Sequence, residues 1–204
     1  MSLTLCVYCG SRDGDDPAHL AAAREVGRQI GTRGWRLVYG GGSTGLMGAV
    51  ADAALAHGAE AIGIIPERLV KKELGHPGLT SLEIVDSMHE RKHRMAMHAD
   101  AFIALPGGIG TMEEIFEAWT WRQLGYHRKA LGLLNVAGYY VHLLHFLDVS
   151  QQGGFLWPDV QELLLVDDDI DALLDRLADE HMRLKAQTPP DQPETGPGGI
   201  SPEI

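Results

Sequence analysis

Short apolar runs alternate with longer segments of helical period over most of the chain. The short runs are rich in aliphatic and β-branched residues, and they span 3–8, 36–39, 61–65, 82–85, 101–105, 130–134 and 163–166. Between them, apolar residues recur every three or four positions, as they do on one face of an α-helix. Strands that alternate with helices are typical of a mostly parallel sheet. We therefore expect a Rossmann-like, doubly wound α/β fold of about seven strands with helices on both faces.

Capping residues predict where the first and last helices begin. Asp16 followed by Pro17 is typical of an N-cap and a first helical position, so a helix should start at Pro17. Three acidic residues, 167–169, precede the last helix and suit its positive end. After that helix the composition changes to Pro, Gly, Gln and Glu, with little to bury. The sequence thus predicts one domain over 1–185 and a disordered tail over 186–204.

Charge and composition argue against two classes of partner. The 204 residues include 17 Lys and Arg against 28 Asp and Glu, a formal net charge of −11. An acidic chain lacks the broad cationic surface that nucleic acid requires, so we expect no nucleic-acid partner. The sequence starts without a charged, apolar leader, and no later run is long enough to cross a bilayer. We expect a cytoplasmic protein with no membrane partner.

The two cysteines of the chain, Cys6 and Cys9, form a C-x-x-C pair that redox and zinc sites also use. They lie on or directly after the first predicted strand, where residues three apart point to opposite faces of a sheet. We therefore expect two reduced structural thiols.

Two glycine-rich loops follow predicted strands, at the sheet edge where ligands of parallel α/β proteins bind. Residues 40–48 read GGGSTGLMG, and residues 105–111 read LPGGIGT. Glycines allow close approach to the backbone, and the N–H groups of a helix start bind phosphate. Neither loop has the Lys and Ser or Thr of a Walker A motif, so ATP hydrolysis is not expected. Two such loops predict that one mononucleotide binds between them. The first loop alone also fits the G-x-G-x-x-G motif of dehydrogenases.

A basic segment stands out in this acidic chain. Residues 88–95, MHERKHRM, hold three permanent cations and two histidines. Arg91 and Lys92 share a helical stripe with Met88 and Met95, which turns both cations toward the core side. A solvated charge run with buried stems is one interpretation. An anion pocket explains the inward placement equally well, and we favour it.

The same segment fits the H-E-x-x-H pattern of zinc metalloproteases at 89–93, with Glu113 or Glu114 as a third ligand. Its two variable positions are Arg91 and Lys92, which would place cations beside the metal. We therefore expect no metal site.

Glu114 has two interpretations on sequence grounds. Thr111 and Glu114 fit a capping box at the start of a helix predicted over 112–124, in which the glutamate would serve only the helix terminus. The same carboxylate also follows the second glycine loop, where it could act on a bound ligand. Spacing alone does not separate these roles. Further along this helix, Trp119 and Trp121 cannot face the same side, so we expect one in the core.

Together these motifs resemble the Lonely Guy family, the cytokinin riboside 5′-monophosphate phosphoribohydrolases, which are often mislabelled lysine decarboxylases. The resemblance rests on 40–48, 88–92 and 106–114, the last of which fits P-G-G-x-G-T-x-x-E, and it extends from about residue 3 to residue 177. It implies hydrolysis of the N-glycosidic bond of AMP or N6-prenylated AMP, without a metal or other cofactor. It also implies a homodimer. A mononucleotide carrier that does not cleave its ligand remains the alternative.

By position, the resemblance implies that Arg91 and Glu114 are the catalytic pair and that Lys92 contacts the substrate. Residues 108–111 would cradle the phosphate. The full set of further substrate contacts that it implies is Gly41, Gly42, Ser43, Gly45, Glu73, Met88, Gly107, Gly108, Ile109, Gly110, Thr111, Met112, Glu113 and Thr120.

Overall fold

The computed structural model describes residues 3–70 and 75–187. Within these residues the strands form one seven-stranded sheet in which every neighbouring pair is parallel. Each observed strand matches a predicted one, with ends that differ by at most one residue, which confirms the α/β prediction. The strands are β1 (Thr4–Tyr8), β2 (Arg36–Tyr39), β3 (Ala61–Pro66), β4 (Ser81–Val85), β5 (Ala101–Ala104), β6 (Ala130–Leu134) and β7 (Leu164–Asp167).

Helices follow most strands and cover the sheet on both faces. The Asp16 carboxylate accepts the Ala18 N–H at 2.8 Å, which confirms the predicted N-cap. The Asp169 carboxylate, one of the three acidic residues before the last helix, accepts the Ala172 N–H at 2.8 Å. A short 3₁₀ turn at Val136–Gly138 follows β6. The α-helices are α1 (Pro17–Thr32), α2 (Gly45–Ala56), α3 (Glu67–Val70), α4 (Met88–His98), α5 (Ile109–Gln123), α6 (Val141–Gln152), α7 (Pro158–Gln161) and α8 (Ile170–Ala186).

The core consists of two apolar layers, one on each face of the sheet. One layer includes Leu5 with side chains of α1, α2 and α8, and the other includes Cys6 with side chains of α4 and α5. Cys6 and Cys9 belong to opposite layers and both are free thiols, as predicted. Burial raises the pKa of each thiol well above its ordinary value, so both are protonated.

The strand order is β4-β3-β2-β1-β5-β6-β7. The chain builds outward from β1 to β4, then returns to place β5 on the other side of β1. The order therefore reverses between β1 and β5, and the loops after these two strands diverge around a crevice. This crevice is where a ligand of such a fold is expected.

Some sequence predictions lie outside the part of the chain that can be described. Residues 188–204 lie outside the described residues, so the predicted tail and the domain boundary at residue 185 stay predictions. Glu73 also lies outside the described residues. None of the helices within the described ranges is long and apolar enough to span a membrane.

Candidate active site

A cavity of about 310 Å³ opens between the ends of β1 and β5. Its size falls at the lower end of the range for small-molecule sites. Arg91 and Glu114, from α4 and α5, both line it. Its complete lining is Cys9, Gly10, Ser11, Met47, Leu69, Met88, Arg91, Gly108, Ile109, Gly110, Thr111, Glu113 and Glu114.

The start of α5 forms one wall of this cavity. Gly108 is the N-cap, and the first bond of the helix runs from the Met112 N–H to the Gly108 carbonyl at 3.1 Å. The amides of 109–111 therefore precede the intrahelical ladder and can donate to an anion. A Cβ built on Gly108 or Gly110 meets nothing within 4 Å. These two glycines thus leave open the space that a phosphate would take.

Hydrogen bonds to its backbone carbonyls hold the second glycine loop in place. The Gly10 N–H donates to the Pro106 carbonyl at 3.0 Å, and the Tyr139 hydroxyl donates to the Gly107 carbonyl at 2.6 Å. A Cβ on Gly107 would lie 2.1 Å from the Thr111 Oγ1, so a larger residue would distort the loop. The Tyr140 hydroxyl donates to the carbonyl of Leu105, the first residue of the loop, at 2.6 Å.

Arg91 is buried at the inner end of the cavity, with 5% of its surface exposed. Its Nη2 donates to the Gly40 carbonyl at 3.0 Å, and its Nη1 lies 3.8 Å from the Met88 Sδ. Ser87 caps α4 by accepting the Glu90 N–H at 3.1 Å. The predicted inward placement of this cation is confirmed. Gly40 is needed beside it, since a Cβ there would lie 1.9 Å from the Arg91 Nη2.

Lys92 ties α4 to α5. It is buried, and its Nζ bonds to the Glu113 carboxylate and, at 3.0 Å, to the Glu117 carboxylate. Burial lowers the pKa of Lys92, but the hydrogen bonds and charges of the two glutamates together raise it by more. The net pKa is therefore above its ordinary value. Lys92 follows Arg91 and Glu113 precedes Glu114, so this contact links the turns of the two helices that carry the predicted catalytic side chains.

Glu114 lies half-buried in the second turn of α5 and faces the cavity. The capping-box interpretation is wrong, because α5 begins at Ile109, three residues earlier than the predicted start at Met112. Thr111 therefore lies inside the first turn, buried, and does not occupy the N-cap. The Glu114 carboxylate therefore does not cap the helix N-terminus, and it lines the cavity.

The first glycine loop holds protein groups together. Its three leading carbonyls each accept a hydrogen bond: Gly40 from Arg91, Gly41 from the His76 N–H at 3.0 Å and Gly42 from the Tyr39 hydroxyl at 3.1 Å. Met47, further along this loop, lines the cavity. The loop residues that were predicted to contact substrate, Gly41, Gly42, Ser43 and Gly45, lie outside the cavity lining, so those contacts stay predictions.

The remaining residues singled out on α5 differ in burial. Met112 packs partly buried against the core, and the exposed Thr120 donates its hydroxyl to the Phe116 carbonyl at 2.7 Å. Trp119 is the core tryptophan, and its indole N–H donates to the Val160 carbonyl at 2.9 Å. Over the described ranges, no three His, Cys, Asp or Glu side chains are grouped to hold a metal ion.

A second cavity, of about 570 Å³, continues the crevice on the other side of Gly10 and Gly108. Arg12, His19 and Tyr139 line it. The sequence reasoning missed the loop after β1 that separates the two cavities. Its signal was present, since Cys9-Gly10-Ser11 follows a strand just as the two longer glycine loops do.

Comparisons with known proteins agree on the family and on the fold. The model of a family described as possible lysine decarboxylase matches residues 47–177. A probable cytokinin riboside 5′-monophosphate phosphoribohydrolase of Oryza sativa subsp. japonica is 46% identical over 86% of this chain and 76% of its own length. A cytokinin riboside 5′-monophosphate phosphoribohydrolase of Arabidopsis thaliana is 48% identical over 79% of this chain and 75% of its own length.

Two solved structures share the fold. The molybdenum cofactor carrier protein from Chlamydomonas reinhardtii has a TM-score of 0.66 at 21% identity and covers 90% of this chain and 99% of its own. The molybdenum cofactor binding protein from Rippkaea orientalis has a TM-score of 0.66 at 18% identity and covers 88% of this chain and 97% of its own. At identities this low, the similarity shows a common fold only. Function has to be argued from the residues of the site.

Proposed function

The chain belongs to the family of cytokinin riboside 5′-monophosphate phosphoribohydrolases, and we propose that it hydrolyses the N-glycosidic bond of AMP and N6-prenylated AMP. The products are the free base and ribose 5-phosphate. The observation that carries this proposal is the convergence of a buried cation, a carboxylate and a helix start on one cavity. Arg91, Glu114 and the amides of 109–111 all face it.

Glu114 supplies the charge that the transition state requires. Cleavage of the C1′–N9 bond develops oxocarbenium character on the ribose, and a nearby carboxylate stabilises that cation and orients or deprotonates the attacking water. Glu114 is half-buried, so its interaction with the cation is less screened than it would be in water.

Arg91 acts on the other side of the bond. Its guanidinium is held by the Gly40 carbonyl, and it presents a permanent cation to the departing electron-rich base or to the ribose hydroxyls. The 5′-phosphate binds at the start of α5, where the amides and the helix dipole both favour an anion. Binding energy from this remote group positions the sugar between Arg91 and Glu114.

The lysine decarboxylase description does not fit the chemistry of this site. Amino-acid decarboxylation of that type uses pyridoxal phosphate linked to a lysine. Lys92, a buried lysine beside the cavity, is paired with Glu113 and Glu117, and its pKa is raised. A protonated, paired ammonium is not nucleophilic and does not form a Schiff base.

Product analysis tests the proposal. Purified protein is incubated with AMP, with N6-isopentenyl-AMP and with a panel of other nucleoside monophosphates, and free base and ribose 5-phosphate are quantified by chromatography. Glu114→Gln and Arg91→Ala should each lower turnover by about 10²-fold while the protein stays folded. The surface variant Asp171→Asn is the control. Near-normal release by either site variant contradicts the assignment, whereas tight AMP binding without release by the wild type supports the carrier alternative.

We also propose a homodimer, as the resemblance implies. In support, Phe146, Phe155 and Trp157 on α6 and the following loop are 64%, 88% and 69% exposed, and apolar surface of this kind is usually covered by a partner. Light scattering should give twice the 22.2 kDa mass of the chain, and Phe155→Ser with Trp157→Ser should lower it. A monomer mass for the wild type contradicts the dimer.

A further inference from the structure

A histidine outside the active cavity is bonded on three sides. The His76 imidazole, 8% exposed, lies 3.0 Å from the Asp52 carboxylate through Nε2 and 3.1 Å from the Gly78 N–H through Nδ1. Its backbone N–H donates to the Gly41 carbonyl at 3.0 Å. Asp52 belongs to α2, the helix that the first glycine loop leads into.

These contacts fix one tautomer of the ring. A backbone N–H only donates, so the Nδ1 that receives the Gly78 N–H carries no proton. The proton of the neutral ring therefore lies on Nε2 and is donated to the Asp52 Oδ1. With both ring nitrogens engaged, the imidazole joins α2 to the segment 75–78 in a single orientation.

This segment in turn fixes the glycine loop that holds Arg91. Besides the bond from His76 to Gly41, an antiparallel bridge joins Gly42 to Gly75. Gly41 has a φ of +76°, a conformation that glycine adopts readily, and the contacts from His76 and Gly75 lie on either side of its carbonyl carbon. The adjoining Gly40 carbonyl accepts the Arg91 guanidinium at 3.0 Å.

We propose that Asp52 and His76 form a latch that positions Arg91 for catalysis through the Gly40–Gly42 backbone. The inference rests on the proposed function, because it assigns a purpose to the placement of Arg91. His76 and Asp52 are positioning residues, since both lie outside the lining of the cavity that Arg91 and Glu114 share. The phosphate cradle on α5 does not depend on the latch.

Steady-state kinetics of AMP hydrolysis tests the latch with four variants. Asp52→Ala and His76→Ala each remove the side-chain bond, and kcat should fall about 10-fold because a small displacement of Arg91 misaligns it. KM for AMP should stay within twofold, since the phosphate site is intact. Asp52→Asn keeps an acceptor oxygen and should restore most of kcat. The double Ala variant should be no slower than His76→Ala alone.

Two controls separate positioning from folding. Asp52 is 74% exposed, so Asp52→Ala should leave the unfolding midpoint unchanged, and it remains informative if His76→Ala folds poorly. His57→Ala removes another histidine that contacts α2, through the Ala53 carbonyl at 2.8 Å, and should leave kcat unchanged.

The outcomes are distinct. Unchanged kcat in Asp52→Ala, or equal losses in Asp52→Ala and Asp52→Asn, overturns the latch. A fall in kcat that only tracks a fall in the unfolding midpoint overturns it as well. If the wild-type preparation releases no base from AMP, the proposed function itself is overturned, a result that is visible before any variant is compared.

Discussion

Gly40→Ala should remove most of the activity and little of the stability. A Cβ at this position would lie 1.9 Å from the Arg91 Nη2, whereas ordinary contacts begin near 3.4 Å, so the guanidinium must move by about 1.5 Å. The Gly40 backbone lies outside the left-handed region, so alanine adopts it without strain. The groups that must move are the ends of two flexible side chains, the Arg91 guanidinium and the Met47 sulfur, which would lie 3.3 Å from the new Cβ.

The expected size of the effect follows from this displacement. Misplacing a catalytic group by about 1 Å lowers turnover by roughly 10²-fold, and we expect a loss of at least that order in kcat for AMP. The free energy of unfolding should change by less than about 1 kcal/mol, because the smaller unfolded-state entropy of alanine offsets part of the crowding.

The assay pairs base release with denaturant unfolding on the same preparations. Gly132→Ala is the matched control, since its Cβ would meet the flexible end of Leu177 at 3.0 Å in the core, away from the cavity. It should alter stability and leave kcat unchanged. Turnover within twofold of wild type in Gly40→Ala would refute the conclusion that Arg91 must occupy its observed place.

Three further predictions concern the cradle, a strained residue and a buried histidine. Gly108→Ala places a methyl group in open cavity space and should raise KM for AMP about 10-fold while binding of unphosphorylated adenosine is unchanged; equal effects on both ligands would exclude the phosphate cradle. Ala137 has a φ of 52°, so Ala137→Gly should raise the free energy of unfolding by about 0.5–1 kcal/mol in urea titrations, and a decrease would contradict the strain. Burial lowers the pKa of His127 to about 4, below its ordinary 6.5, so the unfolded state binds more protons between these values and stability should fall as pH drops from 6.5 to 4, by up to about 3 kcal/mol. His127→Gln should flatten this slope, and an unchanged slope would assign it to other groups.

Local patterns in the sequence were sufficient for the elements and for the general location of the site. The seven strands follow from apolar runs, the N-cap Asp16 follows from a side chain that bonds within its own helix, and the start of the last helix follows from the acidic residues before it. The inward turn of Arg91 follows from helical period alone. The sequence signal of each of these features lies in residues close to one another along the chain, which is why they could be predicted.

The start of α5 is an intermediate case. Thr111 and Glu114 have the spacing of a capping box, but Gly108 supplies the N-cap without any side-chain bond. A glycine cap has no side-chain signature, so spacing alone left both interpretations of Glu114 open, and only the family resemblance favoured catalysis. The earlier start of the helix removes the capping-box interpretation.

Tertiary structure alone decided what holds the catalytic groups. The Gly40 carbonyl that accepts Arg91 is 51 residues away in sequence, and the Tyr139 hydroxyl reaches Gly107 across 32 residues. Both acceptors are backbone carbonyls, which every residue possesses, so no residue type marks them. The contact from His76 to the glycine loop is likewise made by its backbone. The sequence by itself determined the sheet, its loops and the chemistry they carry, whereas the folded chain determined which carbonyl meets which donor, because that depends on the packing of distant segments.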